Sequence, residues 1–146
     1  MVTKNQAMTL ALVALAVTAV AVAATVYFIL RIRGTGRIKL VGLKVYSDSE
    51  LTKEVSAIDW GTLSPGDHSQ ILLYLKVTSN VPTNLTLTTE NWSPATAKNY
   101  IALTWDYDGA ILAPSQVRAT RFTLEVAETI TGITDFAFDI VITAAG

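Results

Sequence analysis

The stretch Ile71–Thr78, "ILLYLKVT", alternates with a period of two: Ile71, Leu73, Leu75 and Val77 share one side, and Leu72, Tyr74, Lys76 and Thr78 share the other. A pleated strand sends successive side chains to opposite faces, so the stretch reads as a strand with one buried face. The same rhythm recurs on either side. "NLTLTT" (84–89) points Leu85 and Leu87 inward, and "YIALTWDY" (100–107) does so with Ile101, Leu103 and Trp105. "RFTLEV" (121–126) turns in Phe122, Leu124 and Val126, and "FAFDIVIT" (136–143) turns in Phe136, Phe138, Ile140 and Ile142. Upstream, "IKLVGLKVY" (38–46) and "VSAIDW" (55–60) complete a set of seven strands. Turn chemistry separates them. In Ser64-Pro65-Gly66-Asp67 the proline sets φ and the glycine accepts positive φ, while Asp108-Gly109 is a hairpin signal. Val81-Pro82 and Ala113-Pro114 mark further corners, and "SPATAKNY" (93–100) has room for one short turn. The reading is a mainly β fold, a seven-stranded immunoglobulin-like β-sandwich over residues 37–146.

Residues 1–36 read differently. Met8–Leu30 is predominantly apolar, and no charged residue occurs from Asn5 to Leu30. As an α-helix rising ~1.5 Å per residue it reaches roughly 35 Å, enough to cross a hydrocarbon core of ~30 Å. Ala7, Ala11, Ala14, Thr18 and Ala21 follow at spacings of four, three, four and three, which places small residues on one helical stripe. Such a stripe lets helix backbones approach closely in apolar surroundings. Two readings stay open. Met8–Val20 serves as the apolar core of a signal, with Ala21-Val22-Ala23 as its small-residue cleavage site. Otherwise the whole helix is kept, as a membrane anchor or a filament-core helix. The mature start therefore falls near residue 1, 8 or 25.

Charge divides the chain in the same place. Residues 1–44 carry six bases and no acid, with Arg31, Arg33, Arg37 and Lys39 forming a basic neck after the apolar run. Residues 45–146 carry five bases against twelve acids, a net of −7. An acidic body repels phosphates and argues against nucleic acid as a partner. The neck suits anionic lipid headgroups or the acidic body of a neighbouring copy. The positive-inside rule places the body in the cytoplasm. Two sequons, Asn84-Leu85-Thr86 and Asn91-Trp92-Ser93, place it outside and name Asn84 and Asn91 as glycosylation sites, with Pro94 weakening the second. A threonine-rich β domain without cysteine, behind an apolar leader, favours the outside.

No constellation of reactive groups competes with these features. His68 is the only histidine, and cysteine is absent, which leaves no partners for a catalytic triad or a thiolate metal site. Asp106 with Asp108 and Asp48 with Glu50 are too few oxygens for calcium. Asp135 and Asp139, four apart in a strand, fall on its solvated side. Trp60 and Trp105 are in phase with core residues, and Trp92 sits in a loop-like stretch. The expectation is no enzyme, no metal, no cofactor and no small-molecule substrate.

The runs "IDWGTLSPGD" (58–67), "NWSP" (91–94), "NYIALTWDYDG" (99–109) and "ITGITDFAFDIVIT" (130–143) resemble an Ig-like domain common in archaeal cell-surface proteins, over about residues 40–143. The layout of apolar helix and Ig-like domain is similar to that of archaeal type IV pilins and archaellins, whose processing site would correspond to Ala7-Met8. That resemblance implies helices bundled in a filament core. Gln6 and Leu12 depart from the pilin pattern. Leu63-Ser64-Pro65-Gly66-Asp67 also resembles the turn of camelysin-like biofilm fibre subunits, which implies that the alternating "TVYFILRI" (25–32) is a strand donated to the next subunit. The expected role is a cell-surface filament subunit whose partners are identical copies, and membrane lipid before assembly. The alternative is a single-pass anchored Ig-like module that binds another envelope protein or a glycan.

Overall fold

A computed structural model describes residues 30–146. The expected amino-terminal helix and its stripe of Ala7, Ala11, Ala14, Thr18 and Ala21 lie outside the described residues. Among the described residues there are eight strands: β1 (Ile32–Val41), β2 (Leu43–Tyr46), β3 (Ala57–Leu63), β4 (His68–Val77), β5 (Asn84–Ser93), β6 (Ile101–Trp105), β7 (Val117–Val126) and β8 (Asp135–Ala145). They form two four-stranded sheets, ordered β3-β1-β8-β5 and β2-β4-β7-β6. Every neighbouring pair is antiparallel except β1 with β8. Among the described residues a single 3-10 turn, Ala95–Asn99, covers the crossing from β5 to β6. No helix among the described residues is long and apolar enough to cross a membrane.

The count of eight corrects the seven read from sequence, and one residue accounts for the difference. "IKLVGLKVY" is not one strand. At Gly42, with φ of 77°, the chain turns from the first sheet into the second. Left-handed backbone is cheap for glycine alone. The Gly42 carbonyl accepts hydrogen bonds from the amides of Thr78 and Ser79, which pin the corner.

The first strand begins at Ile32, ahead of residue 37, where the sequence places the start of the domain. Along β1 the inward positions are Ile32, Gly34, Gly36 and Ile38, and the outward ones are Arg33, Thr35, Arg37 and Lys39. The two glycines are there for closeness. A Cβ on Gly34 would lie 2.1 Å from Cζ of Phe136, and one on Gly36 would lie 3.0 Å from Cδ1 of Ile140. Strand glycine of this kind marks a site where another group packs on the backbone. Ile32, the last residue of "TVYFILRI", is fully buried in its own domain and pairs with Leu63 of β3.

Between the sheets lies a continuous core. Leu73 and Leu75 of β4, Phe122 and Leu124 of β7, and Ile140 and Ile142 of β8 are essentially without solvent contact. These are the inward positions that the period-two pattern assigns. The connections gather at two poles. The entry pole holds Leu30, the Ser64–Asp67 turn, residues 94–100 and residues 127–134. The far pole holds the Gly42 corner, residues 78–83, residues 106–116 and residues 144–146.

Candidate functional site

The outer face of the first sheet gathers six of the residues singled out in the sequence. Arg33, Arg37 and Lys39 stand along β1, and Asp135 and Asp139 stand along the adjacent β8. Between them the small residues Thr35 and Ala137 line two adjoining shallow hollows of about 550 and 330 Å³, and Ala57 of β3 lines the larger. Lys39 Nζ lies 2.8 Å from Asp139 Oδ2 and 3.2 Å from Glu90 Oε1. Asn91 Nδ2 donates to the same Asp139 oxygen at 2.8 Å. The cluster thus ties three strands, β1, β8 and β5, across the sheet. Asp139 points outward yet is 9% exposed, because Lys39 and Asn91 cover it. It is not the solvated carboxylate that its position suggests. The Asn91 amide, and then the Lys39 ammonium, hold its carboxyl below the usual range. Hydrogen bonds to Asp139 and then Glu90 raise Lys39 above the ordinary lysine value.

A bulge brings Asn91 there. On β5, Glu90 faces Asp139 and Ser93 faces Ala137, so Asn91 and Trp92 together oppose Phe138 alone. Asn91 takes φ of 52°, a left-handed conformation that asparagine tolerates better than most residues. The extra residue reverses the phase of the strand. Before it Leu85 and Leu87 point inward; after it Trp92 does, stacked on Phe138 with centroids 4.2 Å apart and planes at 7°. Its indole N–H donates to Thr89 Oγ1 at 3.2 Å. Trp92, placed in a loop from sequence, is a strand residue and part of the core wall.

The other singled-out residues are dispersed. Asn84 is exposed at the start of β5, near the far pole. Arg31 is exposed just ahead of β1, so the basic neck is mostly the outward face of a strand in mid-sheet. His68 is exposed at the start of β4, opposite Glu125. Asp106 accepts the Arg121 amide at 2.8 Å. Asp108 lies 3.4 Å from Arg118 and accepts the Ala110 amide, which lowers its pKa. Asp108-Gly109 turns inside a longer loop and does not join β6 to β7 by a tight hairpin. Asp48 braces its own loop by accepting the amides of Thr52 and Lys53 and the Thr52 hydroxyl, which lowers its pKa, the hydroxyl contributing most. Trp60 is buried, and Trp105 packs edge-on to Tyr107 and tilted against Phe122. Among the described residues, no three His, Cys, Asp or Glu side chains converge as a metal ion requires.

Sequence reasoning missed the Lys39–Asp139–Asn91 cluster, and no local signal encodes it. Its members are separated by about 50 residues each, and Asn91 is disguised as a sequon. What the cluster does chemically is hold charge and geometry, since Asp139 Oδ2 is shared by the Lys39 ammonium and the Asn91 amide, and the ammonium also meets Glu90. The class these observations define is a two-sheet β-sandwich with a charged outer face and an apolar segment preceding it in sequence. No protein-family model matches the sequence, and no curated protein matches it.

Proposed function

We propose that this protein is a structural subunit of an extracellular, pilus-like filament of the archaeal kind, polymerising through its amino-terminal apolar segment and serving adhesion or contact at the cell surface. The observation that carries this reading is the uncharged run from Asn5 to Leu30 ahead of a sandwich whose core is already filled by its own residues. Each large aliphatic side chain fully buried is worth ~1.5–3 kcal/mol, so a segment of this length needs lipid or protein around it. Lipid provides that cover before assembly, and the segments of identical copies provide it in a filament. The stripe of Ala7, Ala11, Ala14, Thr18 and Ala21 suits close contact between such segments.

The test is to shear cells that express the chain and inspect the supernatant by electron microscopy and immunoblot. Filaments that contain the chain support the reading. Recovery only as a detergent-extracted monomer would refute it in favour of an anchored module. Mass spectrometry of the amino terminus then gives the start. Ala14→Phe should abolish assembly; normal filaments from that variant would mean that the stripe plays no part in packing.

A further inference from the structure

The far pole carries an unusual surface. Residues 41–43, 78–83, 109–117 and 141–146 contain no charged side chain; the acids of this pole, Asp106 and Asp108, stand at the base of its longest loop, Asp106 on the Arg121 amide and Asp108 beside Arg118 at 3.4 Å. Val41, Val81, Ile111 and Val117 are exposed there, Ile111 to 73%. They belong to one pole: Val41 pairs with Thr143, Thr83 and Leu112 exchange both backbone hydrogen bonds, and a Cβ on Gly146 would touch Val81. Two polar side chains of the loops brace their own backbone, Gln116 Oε1 accepting the Ala113 amide at 2.9 Å and Ser79 Oγ the Val81 amide at 3.3 Å. Directly behind, on the outer face of the second sheet, Lys44 and Lys76 stand opposite each other on β2 and β4, with Val117 beside Lys76. Lys44 reaches Glu54 only at 3.9 Å, and no ion pair involves Lys76 among the described residues. Like charges facing each other across a ladder are unfavourable unless an anion approaches.

The entry pole has the opposite character on the same side of the sandwich. Asp67 in the Ser64–Asp67 turn, Glu125 at the end of β7 and Glu128 just beyond it are all exposed, and Gly66 abuts the Glu128 side chain. Lys98, on the crossing turn, shares a hollow with Glu125 and offsets one of the three. Arg33 stands on the outer face of the first sheet, and Arg31 is an exposed cation at this pole just ahead of β1.

From this polarity we infer that the far pole of one body docks on the entry pole of the next copy, the apolar tip covered by the neighbour and Lys44 and Lys76 set against Asp67, Glu125 and Glu128. The contact is heterologous: two different, complementary patches at opposite ends of one molecule. With the two patches at opposite ends of the body, such a contact stacks subunits head to tail, and where its rotation does not close a ring it generates an open chain. It rests on the filament reading and names a second contact within it, between bodies along the axis, beside the contact between apolar segments.

The chain has no cysteine, so single cysteines report cleanly. Ile111→Cys and Thr129→Cys variants of the full chain are assembled together and treated with a short bis-maleimide. A covalent dimer from the mixture, none from either variant alone, and a ladder of multimers from the doubly substituted chain are the expected results. Replacing Lys44 and Lys76 by glutamate should cut ladder yield about tenfold, the factor that ~1.4 kcal/mol makes in an association constant. Adding Asp67→Lys and Glu128→Lys to the same chain should restore it. A dimer from Ile111→Cys alone would mean tip-to-tip pairing and overturn the inference. So would sheared filaments that yield no ladder, which leaves the filament reading standing. Absence of both filaments and ladder defeats the two together.

Discussion

Gly34→Ala places a single methyl group where the first sheet has no room for one. An alanine Cβ at this position would lie 2.1 Å from Cζ of Phe136, 2.5 Å from Cε1 and 2.7 Å from Cε2. Carbon atoms in contact sit ~3.5–4.0 Å apart, so the ring must retreat by roughly 1.5 Å. It has nowhere easy to go: Phe136 is 3% exposed, with Phe138 at 6.1 Å and Trp92 at 6.4 Å. Overpacking a close-packed core costs ~1–3 kcal/mol, and a displacement of this size belongs in the upper half. Against it stands ~0.4–1 kcal/mol from the narrower unfolded ensemble of alanine. The expected net loss is ~2 kcal/mol, which for a urea m-value of about 2 kcal/mol/M lowers the midpoint by about 1 M. The assay is urea unfolding of the full chain in mild detergent, followed by the fluorescence of Trp60, Trp92 and Trp105, all within the body. Phe136→Leu removes the colliding ring, so the double variant should be more stable than the sum of the singles predicts by at least ~1 kcal/mol. Gly36→Ala, which meets the flexible end of Ile140 at 3.0 Å, should cost less than Gly34→Ala. An unchanged midpoint for Gly34→Ala, or additivity within ~0.5 kcal/mol, would refute the close-approach account of this strand.

Asn91→Gly keeps the left-handed backbone and loses only the amide contact, whereas Asn91→Val must also adopt φ of 52° with a β-branched side chain, so the valine variant should unfold at clearly lower urea. Truncating Trp92 to alanine removes the ring stacked on Phe138 and should cost ~3 kcal/mol by the same unfolding assay. Asp139 has a folded pKa below its unfolded value, so its contribution to stability is present above the unfolded value and fades as pH falls through the folded one. Lys39 is raised, so its share is complete below the unfolded lysine value and fades as pH climbs through the folded one. Unfolding midpoints measured from pH 2 to pH 5 should therefore drop less steeply for Asp139→Asn than for the parent chain. In a host that glycosylates sequons, peptide mass spectrometry should find sugar on exposed Asn84 and little on Asn91, whose Nδ2 is engaged by Asp139.

Most of the β architecture was legible because its strands alternate strongly. In β4, β7 and β8 most inward residues are large and apolar and most outward ones polar or small, Leu72 and Val117 being outward exceptions and Thr120 an inward one, so period two identifies them. The 3-10 turn after Pro94 was legible from its short polar composition. The first part of β1, up to Arg37, was not. Its inward positions include Gly34 and Gly36, so the hydrophobic signal vanishes where Phe136 and Ile140 supply the bulk from the neighbouring strand. With the signal gone, its arginines read as a neck and the glycines as a boundary. The bulge was illegible for a related reason, since a one-residue insertion is defined by what lies across the ladder, and only Phe138 reveals that Asn91 is the extra residue. The Lys39–Asp139–Asn91 cluster required two facts, β1 laid beside β8 and β5 bulged, before its members could be seen to meet. The expected amino-terminal helix lies outside the described residues.

The side-by-side, same-direction pairing of β1 with β8 has a mechanical consequence. Tension applied at Leu30 runs along β1, which is zipped on one side to β8 through nine registered pairs and on the other to β3. Ladder hydrogen bonds lie across that line of pull, so they are stressed together in shear rather than peeled one at a time. A body tugged by its leading end against a hold at its opposite pole therefore resists as a clamp. Single-molecule stretching between residues 30 and 146 should need a higher rupture force than stretching between residues 100 and 126, where β6 unzips from β7.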